Sequence, residues 1–296
     1  MNDAPSHILV TGATGNTGIE TLRSLASLAI DKPYGAVQIR AAVRNPETYK
    51  APSDLVEAVR FDFLDRSSWK PALSGVNAVF LVRPPAISDI DATLGPFIDH
   101  VANRGIKKIV FLSLQGVESM PYVPHYKVEE RIRSDGIPFI FLRPSFFMQN
   151  LSTTHRKEIA HDDVIFVPAG RGKTNFIDVR DIGDVAAKVL LEAGHEGKSY
   201  ELTGAECLDY YQIAAILSEV LERPIRYSRP SSIRFLVRAL RQGTPLNFAL
   251  VQTGIYLAAA LGKAARTTDA FENLMGRKAR DFRSFSLDMK KEWAKA

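Results

Sequence analysis

The chain has 296 residues, 46% of them hydrophobic and 24% charged, which is a globular composition for one large domain or two small ones and excludes a disordered or fibrous chain. Its single cysteine, Cys207, excludes an intrachain disulfide and argues against a thiolate metal site. The formal charge of +5 is scattered and forms no basic stripe interleaved with aromatics, so it fits attraction of a phosphate-bearing small molecule better than nucleic acid as the main ligand.

Residues 1–7, MNDAPSH, have neither a basic start nor a long apolar core, so no secretory signal is expected. The longest apolar stretch, 248–261, is interrupted by Gln252 and Thr253 and falls short of the roughly 18 apolar residues that a spanning helix needs. The expectation is a cytoplasmic protein with a small-molecule substrate, no nucleic acid and no membrane partner. A homodimer is among the partners to be expected.

In chain order, the first element is Ile8-Leu9-Val10, a short apolar run that passes through Thr11-Gly12-Ala13-Thr14-Gly15 into a helical pattern over 16–30. A strand, a glycine turn and a helix in that order can seat a pyrophosphate on helix N-terminal amides. The spacing is Gly12-x-x-Gly15-x-x-Gly18, and the ligand-facing candidates are Gly12, Thr14, Gly15, Asn16, Thr17 and Gly18. Further strands are expected at 37–43, 56–61, 78–82, 108–113 and 139–142. Helical spacing lies between them at 65–73, 89–103 and 127–134. Alternating apolar strands and helices predict an α/β fold, a doubly wound parallel (Rossmann) sheet covered on both faces.

After residue 150 the pattern changes. Short strands are expected at 164–167, 174–177 and 198–202, and helices at 178–192, 210–221 and 282–293. The stretch 230–263 reads as helix broken at Gly243-Thr244-Pro245. The expected organisation is a nucleotide-binding domain over 1–150 and a smaller, mostly helical substrate lobe over 151–296, partly interleaved with the sheet.

The second strand ends Val43-Arg44-Asn45-Pro46, with no carboxylate at the tip to accept from a free ribose 2′-hydroxyl. Arg44 offers a fork of donors to a 2′-phosphate, which favours NADP(H) over NAD(H). Asp62-Phe63 follows the third strand, beside the expected adenine position, although Asp62 could equally cap the next turn. Leu81, Arg83 and Pro84 belong to the loop expected to pass under the nicotinamide ribose. Arg83 is read as reaching a phosphate or pointing to solvent.

Taken together, TGATGNTG, AAVRNPE, FLVRPP, FLSLQGVE, HYKVEERIRSDGIPFIFLRPSFFMQN and FIDVRDIGDVA resemble, over nearly the whole chain, the NmrA-like group of atypical short-chain dehydrogenase/reductases. The resemblance implies a Rossmann domain, a C-terminal substrate lobe and NADP(H). It places Ser113 facing the nicotinamide. It also places His125 where, counted back from Ile137-Pro138, isoflavone-reductase-like relatives carry a catalytic lysine. His125 is then a candidate proton donor near neutral pH, and Lys127 a contact to the nicotinamide ribose. The Tyr-x-x-x-Lys pair of standard short-chain dehydrogenases is absent, because Tyr126 is followed four residues later by Glu130. Phe146 and Phe147 after the sixth strand, with Phe176 and, more distantly, Phe235 and Tyr256, are candidate walls for a flat acceptor. No metal-ligand spacing is present. The expected function is NADPH-dependent reduction of a small conjugated acceptor such as a quinone, imine or dye. The alternative is a non-enzymatic NADP(H)-binding redox sensor.

Overall fold

The computed structural model describes residues 7–30 and 37–295; residues 1–6, on which the expectation about a secretory signal rests, lie outside them. In chain order the strands are β1 (His7–Val10), β2 (Gln38–Val43), β3 (Val56–Arg60), β4 (Ala78–Val82), β5 (Lys108–Leu112), β6 (Phe139–Pro144), β7 (Phe146–Phe147), β8 (Val164–Ile165), β9 (Thr174–Ile177), β10 (Lys198–Leu202), β11 (Cys207–Leu208) and β12 (Arg226–Tyr227). The helices are α1 (Asn16–Ile30), α2 (Trp69–Ala72), α3 (Leu94–Ala102), α4 (Pro124–Ser134), α5 (Gln149–Ser152), α6 (Arg156–Asp162), α7 (Val179–Leu191), α8 (Tyr210–Leu221), α9 (Ser232–Arg241), α10 (Leu246–Ala260), α11 (Ala270–Met275) and α12 (Phe282–Asp288).

The chain forms two compact units. One holds the residues up to Pro144 together with Val179–Leu202; the other holds Ser145–Asp178 and the residues from Thr203 onward. The sequence places the boundary near residue 150 and expects part of the later lobe to return to the sheet. The structure instead changes unit at Pro144, because the Ser145 hydroxyl already donates to Asn175 Oδ1 of the second unit at 3.0 Å. It then sends α7 and β10 back to the first.

The first unit is built on a seven-stranded sheet in the order β10-β6-β5-β4-β1-β2-β3, with every pairing parallel. β5, KIVFL, is buried along its whole length, as a parallel strand covered on both faces must be. The ring of Phe97 from α3 sits among Phe61, Phe63 and Trp69, each edge-on at 5.1 to 5.5 Å, and anchors the core of this unit.

α1 and α7 pack together so closely that a Cβ on Gly183 would lie 2.7 Å from the backbone carbon of Glu20. The Ser24 hydroxyl donates to Asp184 Oδ1 at 2.7 Å across the same contact. Lys108, buried at the start of β5, donates to the carbonyls of Val189 and Glu192 at the end of α7 and pairs with Glu196 at 3.0 Å. A cation at a helix C-terminus meets the negative end of its dipole, so the C-terminal end of α7 is fixed to the sheet.

The second unit has its own core, with Met148, Phe176, Tyr210, Phe282 and Trp293 at its centre. Two small sheets, β11-β9-β7 and β12-β8, complete it. The expected terminal helix over 282–293 is α12 followed by a 3-10 turn, Lys290–Trp293, and the Trp293 indole N–H donates to the Leu151 carbonyl at 2.9 Å.

Gly183→Ala should cost about 1–3 kcal/mol, the usual penalty for overpacking a tight contact. Denaturant unfolding measures it, and an unchanged midpoint would mean that α1 and α7 separate without cost.

Candidate functional site

β1 lies between β4 and β2, and successive strands are added in opposite directions on its two sides. That reversal opens a crevice at the C-terminal strand ends, where open α/β sheets bind ligands. The chain leaves β1 through Thr11, whose hydroxyl donates to the Phe80 carbonyl at 3.0 Å and accepts from the Val82 N–H at 2.8 Å. Gly12 follows with φ +65°, and a Cβ there would stand 3.0 Å from Val82 Cβ. A Cβ on Gly18 would fall 2.1 Å from the Gly12 carbonyl oxygen. Gly15 is under less pressure; its N–H donates to the Gly12 carbonyl at 2.9 Å and closes the turn.

Thr14, Gly15 and Asn16 are exposed at the start of α1, while Thr17 and Gly18 are buried beneath. α1 carries no acidic residue in its first turn, so its positive end is not neutralised locally. A glycine cradle opening on free helix N-terminal amides fits a pyrophosphate. Tyr49, which sequence reasoning missed, touches this loop by donating from its hydroxyl to the Ala13 carbonyl at 3.4 Å. Only the Pro46 turn after β2 pointed toward it.

Arg44 stands exposed at the β2 tip, and its guanidinium engages no carboxylate among the described residues. Three neighbours of the expected cofactor path lie otherwise than the sequence suggested. The ring of Phe63 is part of the core, 4.8 Å from Phe61, because the turn after β3 folds it inward. Leu81 is fully buried inside β4, one pleat short of the strand end. Arg83 is half-buried and turns back on its own loop. Its Nη1 donates to the carbonyls of Pro84, Pro85 and Ile87, at 2.9, 3.3 and 2.5 Å, and staples its own loop. Burial pulls its guanidinium below the ordinary arginine range, and its Nε has no partner. Asp62 takes the capping role, with Oδ1 accepting from the Leu64 N–H at 2.9 Å. Pro84 is half-buried on that stapled loop.

Ser113 follows β5 directly. Its N–H continues the ladder to the Leu142 carbonyl at 2.8 Å, and its hydroxyl, on a residue 4% exposed, has no hydrogen-bond partner. An orphaned hydroxyl at the carboxyl edge of a parallel sheet fits a polar ligand group. His125 opens α4, its ring tilted 6.1 Å from that of Phe111, two residues before Ser113. Burial, and then the charge of Arg83, push the imidazole down to about 3. The ring is therefore neutral at neutral pH and is a hydrogen-bonding group there rather than an imidazolium acid. Lys127 is exposed one position before the buried face of the helix begins at Val128.

α4 is held by Glu129, 1% exposed, which accepts two bonds from Arg143 of β6, at 3.0 and 2.6 Å, and one from Arg133 at 3.0 Å. Tyr126 has no lysine partner, and Glu130 pairs with Arg133. Among the described residues no group of three or more His, Cys, Asp or Glu is placed to hold a metal ion.

In the second unit Phe176 is 2% exposed and packs edge-on against Tyr210 at 5.7 Å, so it belongs to the core and does not wall a pocket. Phe235 and Tyr256 are buried in the same cluster. Phe146 leans on that core, 6.3 Å from Phe176. Side chains alternate along a strand, so the half-buried Phe147 of β7 turns to the opposite face.

A neutral His125 has a sharp signature. Its folded pKa lies below its unfolded value, so the unfolded chain binds the extra proton and stability falls as pH drops from about 6.5 toward about 3. NMR titration of the ring should show no protonation between pH 8 and 5; a midpoint near 6.5 would restore the imidazolium acid.

The family model described as the NmrA-like family matches residues 4–282. The NAD(P)H azoreductase of Xenophilus azovorans is 29% identical over 285 residues, covering 94% of this chain and 96% of that protein. Two solved structures are each 26% identical. The Escherichia coli NADPH-dependent quinone oxidoreductase QOR2 complexed with NADPH has a TM-score of 0.84, covering 96% of this chain and 99% of that one. The Citrobacter sp. triphenylmethane reductase complexed with NADP(H) has a TM-score of 0.81, covering 97% and 99%. With the Gly12–Gly18 cradle at the switch point of a Rossmann sheet and a family match over nearly its whole length, the chain belongs to the NmrA-like family.

Proposed function

We propose that this protein is an NADPH-dependent reductase of small, flat, conjugated acceptors of the quinone, imine or dye type. The observation that carries this reading is the end of β5, where an unpartnered hydroxyl on Ser113 and a neutral imidazole on His125 offer hydrogen bonds but no charged acid. A conjugated acceptor spreads the charge it gains over its π-system and needs little more than that. Relatives named azoreductase and quinone oxidoreductase support the same chemistry.

The turn from Gly12 to Gly18 and the amides of α1 hold the pyrophosphate. Arg44 takes the 2′-phosphate through charge-assisted bonds. When bound, NADPH supplies the hydride. The Ser113 hydroxyl and the His125 N–H donate to the heteroatom of the acceptor that becomes electron-rich, in the manner of a small oxyanion hole, and water delivers the final proton. Lys127 contacts the nicotinamide ribose.

Arg44→Ala should weaken NADPH by about 1.5–3 kcal/mol, roughly ten- to 150-fold in affinity, with little change for NADH. Equal losses for both cofactors in a binding titration would remove Arg44 from the 2′-phosphate site.

The function is tested by mixing the protein and NADPH with a panel of quinones, imines and dyes and following the loss of nicotinamide absorbance. Turnover is expected with at least one class, slowed by Ser113→Ala or His125→Ala without weaker NADPH binding. Tight cofactor binding with no oxidation by any acceptor would overturn the reading in favour of a non-enzymatic sensor.

A further inference from the structure

α9 and α10 pack against each other in the second unit and are anchored by polar contacts on their inner sides. Arg238 of α9 pairs with Glu158 and Asp162 at 3.3 Å each and stacks 4.4 Å over the Phe166 ring. Tyr256 of α10 meets His155 Nε2 at 2.5 Å, while His155 Nδ1 faces Glu158 at 3.2 Å. Directing the Nδ1–H at the carboxylate leaves Nε2 to accept from the tyrosine hydroxyl.

The outer sides are different. Ile233 is 74% exposed and Val237 40% on α9; Phe248, Leu250, Val251 and Ile255 are each 45 to 59% exposed on α10. Scattered exposed apolar side chains are ordinary, but a set this dense on two adjacent helices marks an interaction surface. The stretch from Arg223 to Thr268 that carries both helices holds eight Lys or Arg and no Asp or Glu, and of these Arg223 and Arg238 pair with carboxylates elsewhere in the unit. At helical spacing Ile233, Val237 and Leu240 form one stripe, and Arg234 and Arg241 flank it. Neither of these arginines pairs with a carboxylate among the described residues. Both line a groove of about 440 Å³ together with Phe166, Ile233 and Val237.

Exposed aliphatic and aromatic side chains bordered by arginines are what a helix lying in a membrane interface presents. We propose that the outer face of α9 and α10 docks onto a bilayer surface containing anionic phospholipids. Phosphate head groups lie against Arg234 and Arg241, and the apolar side chains enter the boundary between head groups and acyl chains. A second copy of the chain fits less well, because a two-fold interface sets the same cationic patch against itself. Among the described residues no helix is long and apolar enough to cross a membrane. The contact is therefore peripheral, and it revises the expectation of no membrane partner.

Vesicle flotation tests the proposal, comparing phosphatidylcholine vesicles with vesicles that also contain phosphatidylglycerol. The full chain should float only with the anionic vesicles and should be released by high salt. The double variant Arg234→Ala/Arg241→Ala should bind them on the order of 30-fold more weakly, from about 1 kcal/mol per surface cation. Phe248→Ser/Val251→Ser should also lose binding while melting like the parent and retaining NADPH. Absence of flotation with either vesicle, or equal flotation with both, would overturn the proposal. So would a dimer in light scattering that Phe248→Ser/Val251→Ser dissociates, since a second copy would then cover this face.

Discussion

The turn after β1 lies against β4 and beneath α1 only because two side chains are missing from it. Gly12 clears Val82 on one side, and Gly18 clears the Gly12 carbonyl on the other. Close packing admits no slack at either place, so the position of the amides at the head of α1 is set by steric exclusion. The Thr11 hydroxyl, bonded both ways to β4, fixes the remaining freedom. The rest of the crevice inherits its geometry from this turn. The parallel register places Val10 beside Ala41 on β2 and Phe80 on β4, so the tips that carry Arg44 and Arg83 flank the glycine loop.

Charge is distributed unevenly around that loop. Arg44 stands exposed, and its guanidinium engages no carboxylate among the described residues. Arg83 is half-buried and spends its donors on three carbonyls of its own loop. Its remaining effect is through space, because its charge, added to burial, keeps His125 neutral. The side of the crevice near β5 is thus poor in mobile protons, while the side near β2 offers a fixed cation. That asymmetry suits a dinucleotide held by its phosphates and a reaction that draws little on acid catalysis.

Much of this was legible in the sequence. The bounds of α1, β9, β10 and α8 follow from apolar periodicity and their flanking signals, and the glycine turn from its place between strand and helix. The errors share a cause. Phe63 and Leu81 sit where strand-end counting expects ligand contacts, but one pleat decides which face a residue takes, and composition does not reveal the pleat. Arg83 depends on the carbonyls of Pro84, Pro85 and Ile87, which converge on its guanidinium only once the loop has closed. The sequence implies that part of the later lobe returns to the sheet but not which part, because α7 and β10 look like any helix and strand. Their allegiance is recorded in Gly183, a residue that a single sequence gives no reason to single out.

The return of α7 and β10 has a consequence for how the chain becomes a protein. β10 closes one edge of the sheet by pairing with β6, yet residues 145–178 of the other unit are synthesised between them. Lys108, placed early in the chain, stays a buried cation without its helix terminus and Glu196 until those later residues emerge. A nascent chain released before Leu202 would hold an open strand edge and an unneutralised ammonium in the same layer. The sheet is therefore a late product of synthesis, completed across a long sequence separation, and it is in that interval that the chain is most exposed to edge-to-edge misassociation.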